Sequence, residues 1–231
     1  MPTRPSVPLV ADGRASRWTG QQERRRAEFV EAALLAIAEH GSEVSTEQIA
    51  ARAGVARTRL YRHFGGAQDL HAAIATRAGE IIVAGLEPAW DASSSPTTII
   101  RTAISTHLQW LTDHHELYRY LMRHSVSTAS GDTVVNDVKR LISDLLVGLL
   151  DHFVDLLGLD VSVTQPLSFG LVGFVDAAAS RWVEDPRGVG LAEMVDLLAD
   201  WAWSVLDHVL RSLGLEIDPD VPLALVDESA T

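Results

Sequence analysis

A capped helix start in the first quarter of the chain constrains the fold more than any other sequence feature. Ser45 lies three residues before Gln48, the capping-box arrangement in which two backbone N–H groups at a helix start are satisfied. Val44 and Ile49 flank this box at the positions of a hydrophobic staple, so the helix must begin at or next to Ser45. It must also be short, because Gly54 follows within nine residues.

A second short helix is predicted over residues 57–63, and it is rich in basic and hydroxyl side chains. Leu60 and Phe64 are spaced i, i+4 and form its buried side, so Thr58 and Arg62 lie on the opposite side. Two short helices joined through glycine, the second presenting Arg and hydroxyl groups, are typical of a helix-turn-helix that enters the DNA major groove. An ordinary helical hairpin with a basic solvated face has the same spacing.

Charge is distributed unevenly along the chain. The net charge is −12, yet residues 1–71 contain ten Arg and eight acids, against nine basic and twenty-three acidic residues in 72–231. This asymmetry indicates that only the front of the chain meets a polyanion. Residues 1–20 hold three of the Arg, and we predict a flexible basic arm that reaches phosphates or the minor groove. A solvated arm without a partner is the alternative.

The remaining sequence predicts an all-α protein, because helical periodicity recurs and strand signals are almost absent. Turn residues separate the predicted helices at 21–40, 68–86, 97–112, 116–124, 133–157, 163–184 and 190–213. We therefore expect the arm at 1–20, a three-helix helix-turn-helix domain at 21–67, a helical C-terminal domain at 68–214, and a fraying tail at 215–231.

The stretch from Ile49 to Phe64 resembles the TetR family of bacterial one-component repressors. The shared features are Ile-Ala and Ala-Gly-Val around the first short helix, followed by Leu-Tyr-Arg-His-Phe at residues 60–64. The resemblance is specific over residues 22–72 and extends elsewhere only to helix number and length. It implies a transcriptional regulator that binds a palindromic DNA operator as a homodimer. A small apolar effector, with a fatty-acyl compound favoured, is expected to release it from DNA.

The resemblance also implies roles for individual side chains. Positions that face base edges match Arg57, Thr58 and Tyr61. Positions near phosphates, which hold the register of the protein on DNA, match Thr46, Arg59, Arg62 and His63. Ala67 stands where the family often has a phosphate-binding Lys, so only the backbone N–H groups of residues 66–68 remain there as an expected anion site.

The last two predicted helices have the composition of a packed pair. Gly170, Gly173 and Ala177 allow close approach of another helix, and residues 191–209 carry a broad apolar stripe. With the resemblance, this pair is expected to form a four-helix bundle with a second copy of the chain. An internal pair of core helices is the alternative.

An effector pocket is expected among the middle helices. Pockets are mostly apolar with a few placed polar groups, and each candidate could equally be core. The candidates are His107, Trp110, Leu111, Tyr118, Met122, Phe153, Phe169 and Phe174. In the expected dimer, the helix at 57–63 of each copy is the recognition helix that enters the major groove. We expect an effector beside the helix at 68–86 to change the spacing of these two recognition helices.

Several chemistries lack their sequence motifs. Cys is absent, and we find no zinc-protease His pair, phosphate-binding glycine loop or nucleophile elbow. We therefore expect no catalysis, no metal and no cofactor. Neither a membrane-spanning run nor a signal peptide is evident, which predicts a cytoplasmic protein that joins the nucleoid when bound to DNA. A helical carrier of small molecules, without a DNA function, is the alternative.

Overall fold

The computed structural model describes residues 13–89, 93–125, 143, 144, 147 and 164–223, and every regular element in these ranges is helical. The chain forms two compact units, Met1–Leu70 and His71–Thr231, which we call the N-terminal and C-terminal units. No helix in the described ranges combines the length and the apolar character that crossing a bilayer requires.

The first helix, α1, spans Gly13–His40 and buries the predicted apolar side, including Phe29, Ala33 and Ile37. It ends where Gly41 adopts a φ of 82°, a conformation that glycine tolerates. Its start differs from the prediction, because residues 13–20 are helical although we expected them in an irregular arm. Extending an existing helix by a residue costs far less than nucleating one, so the polar segment continues the helix. Residues 1–12 lie outside the described part.

The next two helices form the predicted helix-turn-helix. Helix α2 spans Thr46–Arg52, with Ser45 as its N-cap and the capping box completed by Gln48. Gly54 follows in the left-handed region, with a φ of 68°. Helix α3 spans Arg57–Leu60 and is shorter than predicted. The backbone N–H of His63 bonds to the carbonyl of Leu60 at 3.0 Å, so a tighter i, i+3 turn replaces the last helical turn.

Helix α4, Ala67–Leu86, crosses from one unit into the other. A 3₁₀ turn at Glu87–Ala89 precedes α5, Pro96–Asp113, and α6, His115–Ser125; the last two helices are α7, Thr164–Glu184, and α8, Leu191–Ser212. Their bounds agree with the predicted ones to within one residue. The helix predicted at 133–157 lies outside the described residues.

The core of the C-terminal unit lies where α5, α7 and α8 meet. Leu108, Ala179 and Leu198 are fully buried there. The predicted apolar stripe of α8 divides, because Leu198 faces this core whereas Trp201 and Val205 are each 47% exposed. The stripe therefore has an inner and an outer part.

The segment after Gly214 does not fray over its described part, contrary to our expectation. The backbone N–H of Thr97 bonds to the carbonyl of Pro219 at 3.1 Å, and that of Leu223 bonds to Ser94 at 3.2 Å. Leu223 is only 6% exposed. These contacts hold residues 215–223 against the start of α5, because the backbone there finds hydrogen-bond partners and an apolar side chain is buried.

Candidate nucleic-acid interface and effector site

Helix α3 turns one side to the core and the other to solvent. Leu60 is fully buried, whereas Arg57, Thr58 and Arg59 are exposed. Arg62 is also exposed in the turn that follows. The geometry therefore brings the predicted basic and hydroxyl side chains together on one surface of the N-terminal unit.

A network of side chains joins α2 to α3 at this surface. Glu47 forms an ion pair with Arg57, whose Cζ lies 5.4 Å from the centre of the Tyr61 ring. The Tyr61 hydroxyl donates to Thr46 Oγ1 at 3.3 Å. The pKa of Glu47 is lowered, first by its own backbone N–H and then by the hydrogen bond from Arg57. Sequence reasoning missed Glu47, since nothing local links residues ten positions apart.

Two cations on the same surface have no such partner. Within the described part of the chain, the guanidinium groups of Arg59 and Arg62 form no hydrogen bond and no ion pair. A guanidinium without a protein partner can bind an anion without first breaking an internal contact. These two side chains are therefore better placed than Arg57 for phosphate oxygens.

A groove of about 470 Å³ separates the first half of α1 from α3. Its polar lining consists of Arg59, Arg62 and His63 and, from α1, of Gln21, Gln22, Arg25 and Glu28. Arg25 and Glu28 form an ion pair at 2.8 Å. Sequence reasoning did not select the residues of α1, although their position near the start of the basic helix was a usable signal. The groove brings donor side chains of α1 near Arg59 and Arg62, with the carboxylate of Glu28 among them.

His63 is placed differently from the other predicted contacts. Its ring centre lies 5.1 Å from that of Phe29, and the side chain is half-buried. Its Nδ1 is buried and finds no hydrogen-bond partner among the described residues. Because His63 lines the groove, it could meet a phosphate only inside that groove.

A carboxylate lies beside the expected anion site at the start of α4. Asp69 accepts a hydrogen bond from the backbone N–H of Gly65 at 2.8 Å, and it pairs with Arg26 of α1. The hydrogen bond from Arg26 and then that from Gly65 lower the pKa of Asp69 to about 2. An anion at the backbone N–H groups of residues 66–68 would therefore be repelled by the nearby Asp69 carboxylate.

Polar side chains meet inside the C-terminal unit between α5 and α7. His107 Nε2 lies 3.6 Å from Asp176 Oδ1, and both side chains are 13% exposed. Ser180 Oγ donates to the carbonyl of Asp176 at 2.6 Å, so Tyr118 Oη, also 2.6 Å away, donates to Ser180. Burial, and to a lesser degree the charge of Asp176, raise the pKa of Tyr118. Sequence reasoning missed Asp176 and Ser180, although a polar pair within an apolar helix was a signal.

The remaining pocket candidates differ in their surroundings. Trp110 lies near the core, and within the described structure its buried Nε1 has no hydrogen-bond partner. Leu111 is 1% exposed and is ordinary core. Phe153 lies outside the described residues.

Three candidates lie at the surface rather than in an enclosed pocket. Met122, Phe169 and Phe174 are 44%, 41% and 39% exposed. The ring centre of Phe174 lies 6.1 Å from that of Trp201. Helix α7 turns Phe169 and Phe174 outward, while Ser168 and Asp176 face inward.

Residues 29–79 match the family described as bacterial regulatory proteins, tetR family. An HTH-type transcriptional regulator of Mycobacterium tuberculosis is 31% identical over 211 residues, which cover 91% of this chain and 89% of that protein. The HTH-type transcriptional activator FasR of Mycolicibacterium smegmatis is 23% identical over 189 residues, which cover 81% of this chain and 85% of that protein.

Solved structures share the fold. A tetR-family transcriptional regulator from Streptomyces coelicolor has a TM-score of 0.68 at 19% identity, covering 90% of this chain and 96% of that one. The transcriptional regulator FadR of Bacillus subtilis, solved in complex with stearoyl-CoA, has a TM-score of 0.59 at 22% identity. The match covers 78% of this chain and 98% of that one. At these identities the likeness shows the fold alone.

Proposed function

The chain belongs to the TetR family of bacterial transcriptional regulators, and we propose that it is a repressor that binds a palindromic operator as a dimer and leaves it when an apolar effector binds. The observation that carries the DNA-binding part is the exposed basic surface of α3 beside a capped α2. A regulator of this kind acts in the cytoplasm, on the nucleoid.

The proposed DNA contacts follow from the surroundings of each side chain. Arg57, Thr58 and Tyr61 face base edges, since Arg can bridge O6 and N7 of guanine in the major groove. Arg59 and Arg62, which lack protein partners in the described structure, bind phosphates together with Thr46 and His63. Gln21, Gln22 and Arg25 add phosphate contacts from the other side of the groove.

The proposed dimer uses the outer sides of α7 and α8. Phe174, Trp201 and Val205 are exposed apolar side chains on these two helices. Such a surface is costly in water, and a second copy related by two-fold symmetry covers it. Two recognition helices about 34–36 Å apart would then reach successive major grooves.

The proposed effector combines an apolar chain with a hydrogen-bond acceptor. The buried Trp110 Nε1, without a partner in the described structure, offers a donor to an acyl carbonyl. Trp110 and Tyr118 pack against the same core cluster. The FadR complex with stearoyl-CoA makes an acyl thioester the first compound to test. Release requires that the effector bind the state with low DNA affinity more tightly, because equal affinity for both states shifts nothing.

The direct test is selection of bound sequences from randomised duplex DNA by the full-length protein. We expect an inverted repeat. Arg57→Ala should then weaken operator binding by ~1–3 kcal/mol and relax the preference at one base pair of each half-site. Arg62→Ala should instead weaken binding to all sequences alike. It should also lower the slope of log affinity against log salt concentration by about one unit.

Two results would contradict the proposal. Recovery of no preferred duplex would favour the carrier function. Equal losses in both variants, with unchanged preference and equal salt slopes, would show that the roles of Arg57 and Arg62 are wrong.

A further inference from the structure

Glu47 is an acid on the surface that would face DNA. It is the second residue of α2, its side chain is 60% exposed, and it pairs with Arg57. A carboxylate near phosphates is repelled, so by itself Glu47 weakens binding to every sequence. Its position in a DNA-binding surface therefore requires a compensating role.

That role follows from how Arg57 is held. Its guanidinium pairs with the carboxylate of Glu47 and lies over the ring of Tyr61, whose hydroxyl bonds to Thr46. To recognise guanine, an Arg side chain must present two N–H groups in one plane to O6 and N7. A side chain already held in place loses less conformational freedom on binding. Five N–H donors leave enough groups to serve both the carboxylate and the base.

We propose that Glu47 is a specificity-determining residue that positions Arg57 for one guanine while opposing binding to all other sequences. This inference rests on the proposed DNA-binding function. It predicts two effects of opposite sign when the carboxylate is neutralised. Binding to unrelated DNA tightens because a repulsive charge is lost, and discrimination at the base pair read by Arg57 falls because that side chain is no longer held.

The experiment compares full-length wild type with Glu47→Gln on the selected operator, on single-base variants of it and on a scrambled duplex. We expect several-fold tighter binding of the scrambled duplex at low salt. Discrimination at one base pair of each half-site should fall about tenfold, the lower range for losing a well-placed bidentate contact.

Glu39→Gln is the matched control. Glu39 is 58% exposed and lies 3.8 Å from Arg52, so this variant removes the same charge from an exposed ion pair outside α3. We expect its base discrimination to equal that of wild type.

Two further variants make the test independent of helix stability. Glu47→Asp keeps the negative charge in the first turn of α2, where it favours the helix, but has a shorter reach. It should lose discrimination without gaining affinity for scrambled DNA. In an Arg57→Ala background, Glu47→Gln should cause no further loss of discrimination, since the two residues act through one contact.

The inference is overturned if folded Glu47→Gln discriminates as well as wild type. It is also overturned if that variant discriminates better, because the ion pair would then restrain Arg57 from binding. Failure of the wild type to select any sequence would refute the proposed function instead, so the two failures are distinguishable.

Discussion

Both units have an apolar core, but they differ in the side chains that they expose and in the polar groups that they bury. In the N-terminal unit, Arg59 and Arg62 are exposed around a core that includes Phe29 and Leu60. In the C-terminal unit, aromatic side chains such as Trp201 are exposed, while polar groups such as Asp176 are buried. The first arrangement suits a partner that is a polyanion. The second suits an apolar ligand and a second copy of the chain.

Substitutions in the two units should also differ in how strongly they affect the stability of the fold. Exposed ion pairs contribute little to folding because water and salt screen them. Changes on the basic surface should therefore alter DNA binding and leave folding nearly intact. A buried polar atom without a partner costs free energy in the folded state. The proposed effector would supply a partner for Trp110 Nε1, which has none among the described residues.

The largest expected effect concerns the exposed apolar surface of the C-terminal unit. Trp201→Glu should prevent dimer formation, because a charge cannot be buried there without a partner. Affinity for the inverted repeat should fall about 100-fold, since two linked half-site contacts become independent. Sedimentation equilibrium and operator titration measure both changes.

Leu35→Glu is the matched change in the other unit, where Leu35 is 53% exposed on α1. It should leave self-association unchanged. Equal self-association in wild type and Trp201→Glu would mean that the outer side of α8 is not the dimer interface.

A smaller effect is expected from the buried donor of the C-terminal unit. Trp110→Phe keeps the aromatic ring and removes the N–H that we assign to the effector. The stearoyl-CoA concentration that releases half of the operator should rise about tenfold, as for the loss of one hydrogen bond to a buried acceptor. Thermal stability should fall less than in Trp182→Phe, because both changes remove the same ring atoms but the Trp110 donor has no partner within the described structure.

Trp182→Phe provides the contrasting control, because Trp182 Nε1 donates to the carbonyl of Val189 at 2.9 Å. It should lower the free energy of unfolding by ~1 kcal/mol and leave release by stearoyl-CoA unchanged. If the two variants behave alike, the Trp110 indole is part of the core and not of the effector site.

The smallest effect is the contribution of Asp69 to the acid stability of the N-terminal unit. Arg26 and Gly65 hold its pKa near 2, below the ordinary 3.8. The lowered pKa stabilises the fold above pH 3.8, and this stabilisation is lost as the pH falls from there towards 2. Because both side chains are about one-third exposed, we expect about 1 kcal/mol.

Asp69→Asn should therefore be less stable than wild type at pH 5 and nearly equal to it at pH 2.5, in thermal unfolding followed by circular dichroism. Glu80→Gln, which removes an exposed i, i+3 ion pair on α4, should not change the pH dependence. A constant difference between Asp69→Asn and wild type at both pH values would contradict the assignment.

Much of the fold could be predicted because its signals are local. The capping box at Ser45 and the stop at Gly41 depend on atoms within one helical turn. The bounds of the described helices of the C-terminal unit were correct to one residue for the same reason. The basic exposed side of α3 was also predictable, since Leu60 and Phe64 define the inner side by spacing alone.

The candidate sites were less predictable, because contacts between distant residues decide them. Glu47 and Arg57 meet only when α3 packs on α2, and His107 and Asp176 meet only when α5 packs on α7. Neither pair has a characteristic spacing. The contacts of residues 215–223 with the start of α5 are of the same kind.

The sequence alone thus determined an all-helical chain, the positions of its helix ends and a basic helix-turn-helix. Tertiary structure decided which side of each long helix is covered, as Leu198 and Trp201 show on α8. Periodicity places a residue on one side of its own helix. Which neighbouring helix covers that side, and whether any does, depends on the packing of segments far apart in the chain.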